Sequence, residues 1–220
     1  ELAVQNQRQQ IDFIEYFSKV SKERHRNSSE SIKVNWNRVY ELVKLFTNNQ
    51  PLPFSQINLS KAEEFRRFMI SAPCGGKKKG TVSHNTAATY YSIFKAGLKQ
   101  AFIDGYLTID ISAKIKGIQD QESRREHLTV EELNKLAETP CDRPILKRAA
   151  LFSALTGIRH CDIQKMKWKE IQIVGDQIRV NFRQQKTKGV EYMPISEQAY
   201  QLCGEPGKPE QLVFEDLPDP

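Results

Sequence analysis

The sequence predicts a mainly α fold carrying a small antiparallel β-sheet, an α+β class with helices first and strands later. Three observations predict it. Apolar residues recur at three- and four-residue spacing through the first half. After Trp168 the period changes to two. Between two extended runs, Gly175-Asp176 supplies a two-residue hairpin signal. With 220 residues and 39% hydrophobic content, the chain can fill one large core or two small ones.

Residues 5–24 place Ile11, Ile14, Phe17 and Val20 on one face, so a first helix is expected there. Ser28 and Ser29 are candidate N-caps for a second. Its inner side carries Ile32, Trp36, Val39, Val43 and Phe46. Residues 47–55, with Pro51 and Pro53, read as a loop. Ser60 and Glu63 form an expected capping box for a third helix through Phe65 and Met69. A basic loop, "APCGGKKKG", follows. From Thr81 or Ser83 a long fourth helix runs to Gly105, with Ala87, Tyr91, Phe94, Leu98, Ala101 and Phe102 as its core face. Residues 108–126 turn polar and lose periodicity, and read as an interdomain linker. The expected organisation is therefore a helical domain at 1–107, a linker at 108–126 and a second domain at 127–220.

The second domain opens on another capping box, Thr129 and Glu132. Pro144 starts a mostly apolar helix over 145–155. In "IQIVGDQIRVNF", Ile178, Val180 and Phe182 alternate with Arg179, Asn181 and Arg183. "QQKTKG" makes a second turn and "VEYMPI" a third strand, giving a meander with a basic tip. Ser196 starts a short helix that Gly204 ends. The proline-rich stretch that follows carries no periodic signal.

Net charge is +6 and unevenly spread. Residues 1–120 hold 18 Lys/Arg against 11 Asp/Glu, and residues 121–220 hold 15 against 16. A basic front half suits a polyanionic partner. No apolar stretch approaches the roughly 18 residues of a membrane span. The polar start lacks a secretory h-region and a Met, so a fragment or processed chain is expected. Cys74, Cys141, Cys161 and Cys203 form no CxxC, and the four histidines form no HxxH or HExxH. Free thiols in a reducing cytoplasm, without metal or cofactor, are the expectation.

The candidate chemistry centres on "TGIRHCDIQKMKW", residues 156–168. A Gly ends one helix, Arg159 follows, and Asp162 opens another. An Arg beside unpaired N–H groups is a phosphate ligand by geometry, its fork gripping two oxygens. A surface Arg paired with Asp162 fits the same residues. Asp162 is expected to cap the new helix and steer Arg159. Lys186 and Lys188 sit at the hairpin tip, as phosphate contacts, as a proton donor, or merely solvated. Lys77, Lys78 and Lys79, with His84, Asn85 and Thr89 at the following helix start, suit nucleic-acid backbone contact or a soluble loop. Arg124 and Arg125 in the linker join this set.

The stretch "ALFSALTGIRHCDIQKMKWKEI" resembles the first catalytic box of the tyrosine recombinases, the phage-integrase family, whose pattern is TGhRxx(D/E)hxxhxW followed by a strand. "NFRQQKTKGVEYMPIS" resembles that family's β2–β3 turn, which gives Lys186 the role of its catalytic lysine. The helical front, including "TVSHNTAATYYSIFKAGLKQAF", is similar to its SAM-like core-binding domain. The resemblance implies a four-helix core-binding domain plus the N-terminal half of a catalytic domain, the two clamping duplex DNA. It implies site-specific recombination or integration through a 3′-phosphotyrosine intermediate, without cofactor, membrane or small-molecule substrate. It also implies tetramers on DNA at full length and a bacterial, cytoplasmic, nucleoid-associated location. In those terms Arg159 holds the non-bridging oxygens, Lys186 protonates the 5′ oxygen, and Asp162 orients Arg159 or its helix. His160 and Cys161 take family-variable positions. One departure stands out: there is no HxxR, and Tyr192 and Tyr200 fall on the third strand and next helix. A C-terminally truncated member, without its nucleophile and inactive alone, is expected. The alternatives are a non-catalytic DNA-binding protein on this scaffold and, third, an all-α interaction module fused to a β domain.

Overall fold

Asp12 decides where the first long helix starts. In the computed structural model its carboxylate accepts hydrogen bonds from the backbone N–H groups of Ile14 (3.0 Å) and Leu52 (2.9 Å). Residues 7–9 are helical, the helix breaks at residues 10–12, and helix α1 spans Phe13–Arg24, so the helix expected over 5–24 is interrupted before Phe13. Ile11 stays 41% exposed, while Phe13, Ile14, Tyr16, Phe17 and Val20 are buried. The structure describes residues 7–76, 79–122, 126–185 and 188–219. The chain divides into two units, residues 1–124 and 125–220, each with its own core.

In the first unit, α1 is followed by α2 (Glu30–Phe46), α3 (Leu59–Ile70) and α4 (His84–Ile103). Trp36, Val39, Leu42 and Val43 of α2 face the core, but Ile32 does not. Asn58, not Ser60, caps α3: its side-chain oxygen accepts from Lys61 N–H at 2.9 Å. The Ser60 hydroxyl turns to Glu64, and Glu63 bonds Arg66. The Ser83 hydroxyl caps α4 as expected. Gly97 lets α4 approach α1, because a Cβ there would lie 2.5 Å from the Phe17 ring. That ring cannot yield, being stacked on Trp36 at 5.1 Å and against Phe13 at 5.7 Å. Gly97→Ala should therefore destabilise this unit by about 1–3 kcal/mol through overpacking. Alanine's helix propensity, about 1 kcal/mol better, acts in the opposite direction. Urea unfolding followed by circular dichroism measures the net; an unchanged or raised midpoint would refute the close approach.

The segment expected as a linker belongs largely to this unit. Residues Ile111–Lys114 form a short helix, α5, and Leu107, Ile111, Ile115 and Ile118 are buried in the first core. The segment runs antiparallel along α4. Lys99 pairs with Asp110 (2.5 Å), Lys95 donates to the Ile115 carbonyl (2.9 Å), and His84 bonds the Gln119 carbonyl (2.8 Å). Asn85 exchanges two bonds with the Gln121 backbone, at 2.9 and 2.8 Å. The hydrogen bond from Lys99, with that from Ser112, holds the Asp110 carboxyl down at about 2.

In the second unit, Thr129 and Glu132 form the expected capping box for α6 (Val130–Glu138). Helix α7 (Pro144–Thr156) starts on Pro144 and buries Phe152 against Phe214, with ring centroids 5.2 Å apart. A one-turn helix, α8 (His160–Ile163), leads to the sheet. Strands β1 (Ile171–Val174), β2 (Gln177–Arg183) and β3 (Val190–Ile195) pair antiparallel in that order. Val180 lies opposite Ile171 and Met193, and Phe182 opposite Glu191. Val180 and Phe182 fill the core, as their alternation predicts. Helix α9 (Glu197–Gln201) follows, and Arg148 of α7 reaches the carbonyls after it, Leu202 at 2.9 Å and Cys203 at 2.6 Å. The proline-rich stretch packs back, burying Val213, Phe214 and Leu217. Lys167 and Lys169 grip Glu210 at 2.8 and 2.7 Å and hold its carboxyl down at about 2.

Candidate active site

The corner after α7 is locked by its own residues. Gly157 adopts φ +71°, the left-handed cap that ends a helix, and its N–H donates to Ser153 O at 2.7 Å. The Ser153 hydroxyl donates to Ile158 O (2.8 Å), and the Thr156 hydroxyl to Phe152 O (2.7 Å). Ile158 pins the corner into the core. The next residue, Arg159, is extended backbone with an exposed side chain. The helix beyond it has only four residues. Its field is correspondingly small, so positive charge at this corner is the guanidinium's own.

Two hydrogen bonds tie this corner to the base of the β2–β3 turn. Arg159 Nη1 donates to Gln184 Oε1 at 3.1 Å. The Gln185 N–H donates to Asp162 Oδ1 at 2.8 Å. Asp162 is only 5% exposed, and its Oδ2 has no hydrogen-bond partner among the described residues. The expectation that Asp162 caps the new helix is therefore corrected. It makes no capping bond there, and its bonded oxygen holds the turn instead. The side-chain hydrogen bond of Arg159 goes to Gln184, a residue that sequence reasoning passed over. Its signal was present: 178, 180, 182 and 184 share one strand face, so a polar residue ends an apolar row.

The turn is closed by Gln184 N–H to Gly189 O (2.8 Å) and Lys188 N–H to Gln184 O (2.9 Å). Lys188 is exposed at φ +61°. Lys186 follows Gln185 directly in the chain but, like Lys77, Lys78, Arg124 and Arg125, lies outside the described residues.

In the helical unit, Lys79 is exposed. His84 and Asn85, expected to face nucleic acid, are engaged with residues 119–121. The Thr89 hydroxyl donates back to Asn85 O at 3.0 Å. A second basic surface was missed. Lys22, His25, Arg26 and Lys33, with Asn37 and Tyr40, line a depression of about 330 Å³ at the α1–α2 corner. The run "SKERHR" was its sequence signal. Among the described residues no cluster of three or more His, Cys, Asp or Glu could hold a metal ion. No described helix is long and apolar enough to cross a membrane.

Residues 12–116 match the family described as "Phage integrase SAM-like domain". That match covers 105 of the 220 residues and falls within the helical unit. Its family boundary at 116 agrees with the packing of residues 107–118 into the helical core. The α+β fold of the chain is similar to that of solved integrases. A lambda integrase dimer bound to a COC′ core site has TM-score 0.64 and 19% identity over 92% of this chain. A lambda integrase tetramer bound to a Holliday junction has TM-score 0.62 and 21% identity over 84%. The Tn1549 transposon integrase in complex with transposon right-end DNA has TM-score 0.59 and 16% identity over 87%. The chain spans 57%, 51% and 63% of those three chains, respectively. Among curated proteins, none matches at the sequence level.

Proposed function

We propose that this chain is part of a tyrosine recombinase acting in DNA integration or site-specific recombination. The SAM-like domain binds duplex DNA, and the second unit supplies Arg159, Lys186 and Asp162 to cleavage and rejoining through a 3′-phosphotyrosine intermediate. One observation carries the reading. An exposed guanidinium is held on a rigid corner by an uncharged side chain at the base of the turn that bears Lys186.

The chemistry follows from what each group can do. A tyrosine oxygen bonds to phosphorus, and negative charge grows on the non-bridging oxygens. Arg159 meets that charge with a planar, permanently protonated fork. The P–O5′ bond breaks, and the Lys186 ammonium gives its proton to the departing oxygen. Reversal with a new 5′ hydroxyl rejoins the strand. Asp162 keeps the turn in place through Gln185. No residue of this chain is assigned as nucleophile: Tyr192 lies on β3 and Tyr200 on α9. Lys79, Lys188 and the basic α1–α2 corner support backbone affinity for DNA. The DNA-bound dimer and tetramer of lambda integrase support assembly on DNA.

Duplex affinity should fall steeply with salt, with a log–log slope of about −0.9 for each phosphate neutralised. Fluorescence anisotropy across a salt series measures it, and a flat line would sink the DNA reading. A suicide substrate offered to the full-length protein separates the next alternative: binding without a covalent adduct would leave a non-catalytic DNA-binding protein.

A further inference from the structure

We infer that Gln184 is a positioning residue that aims Arg159 at phosphate while leaving its charge unspent. The inference rests on the reading of Arg159 as a phosphate ligand.

Register puts Gln184 where it can do this. It continues the inward row of Ile178, Val180 and Phe182, and Glu191 lies opposite Phe182 on the neighbouring strand. Gln184 and Glu191 are therefore diagonal neighbours on one face. The Gln184 Nε2 donates to Glu191 Oε1 at 3.0 Å, while Oε1 accepts from Arg159 Nη1 at 3.1 Å. A cation on one side and a carboxylate on the other dictate which end of the amide faces which.

The choice of an amide has a consequence. A carboxylate at position 184 would hold Arg159 as firmly, but as an ion pair that an incoming phosphate must break. Direct pairing with Glu191 would do the same. The amide stands between them and offers Arg159 one neutral acceptor. A non-bridging phosphate oxygen can replace Gln184 Oε1 and meet a guanidinium that, among the described residues, forms no ion pair and is already aimed. The same residue's main chain closes the turn at Gly189 and Lys188. Its side chain thus links the aim of Arg159 to the turn that carries Lys186.

The test uses the 220-residue chain, a random-sequence duplex and two substitutions. The Arg159 Nε–Hε NMR signal, assigned by its loss in Arg159→Lys, should be dispersed in the parent chain and shift on adding duplex. In Gln184→Ala it should collapse toward the position of free arginines, with duplex affinity lowered several-fold and the salt slope kept. In Gln184→Glu, the closest isostere, the signal should stay dispersed. Its affinity should fall by more than about tenfold and its salt slope by about one, as for loss of a phosphate contact. A purely structural role predicts the reverse order, with the isostere tolerated. Equal losses in the two variants, or an unchanged Arg159 signal in Gln184→Ala, would overturn the inference. If the parent chain binds no duplex, the DNA reading fails with the phosphate half of this inference, and the Arg159 signal alone decides the tether.

Discussion

Arg159→Ala in the full-length protein should lower the rate of strand cleavage by about 10²–10³-fold, the loss typical of removing one preorganised donor from a developing oxyanion. The exposed guanidinium of Arg159 is the one hydrogen-bonded to Gln184 at the base of the turn. Single-turnover cleavage of a suicide substrate measures the effect, with duplex affinity as the control for binding. Lys186→Ala should also slow cleavage, but a 5′-phosphorothiolate leaving group should restore the rate, because a thiolate departs without a proton. The same substrate should not rescue Arg159→Ala. Cleavage within tenfold of the parent after Arg159→Ala would remove Arg159 from the site.

Phe152→Ala should cost the second unit about 3–5 kcal/mol, the usual loss for an aromatic deleted from a packed core. That is a large share of the roughly 5–15 kcal/mol that holds a typical domain together. The second core has few side chains of this size: Phe152, Phe214, Ile163 and Met166 are its fully buried large members. The two tryptophans make the test specific, since Trp36 belongs to the first core and Trp168 packs on the second. In a Trp168→Phe background, the Trp36 unfolding midpoint should be unchanged by Phe152→Ala. With both tryptophans present, the Trp168 transition should move to lower urea. A common shift of both would show one cooperative core rather than two.

Much of the fold was legible because the deciding interactions are local. The Thr129 capping box, Pro144, the Gly157 corner and the Gly175-Asp176 hairpin each depend on residues a few positions apart. Where sequence reading failed, the deciding partner was distant or a local rival was better placed. The start of α1 depends on Asp12 also accepting from Leu52, 40 residues away. Asn58 displaces Ser60 because its side chain reaches the Lys61 N–H from one turn earlier. Residues 108–122 look polar, yet Ile111, Ile115 and Ile118 recur at helical spacing and are buried along α4. The stretch reads as linker only if Lys95, His84 and Asn85 are not known to bind the carbonyls of Ile115, Gln119 and Gln121.

The amino-acid sequence by itself determined the α+β class, the corner that carries Arg159 and the hairpin that carries Lys186. Period, cap chemistry and the left-handed preference of glycine act within a few residues of each. Only the tertiary structure decided what Arg159 and Asp162 touch. Gln184 is 25 residues from Arg159, and Gln185 is 23 from Asp162. The first bond exists because strand alternation sends the Gln184 side chain to the face of Val180 and Phe182, and the second because the next backbone N–H lies beside the corner that Ile158 packs into the core. A one-residue slip would turn Gln184 away, and no local pattern in the chain records that choice.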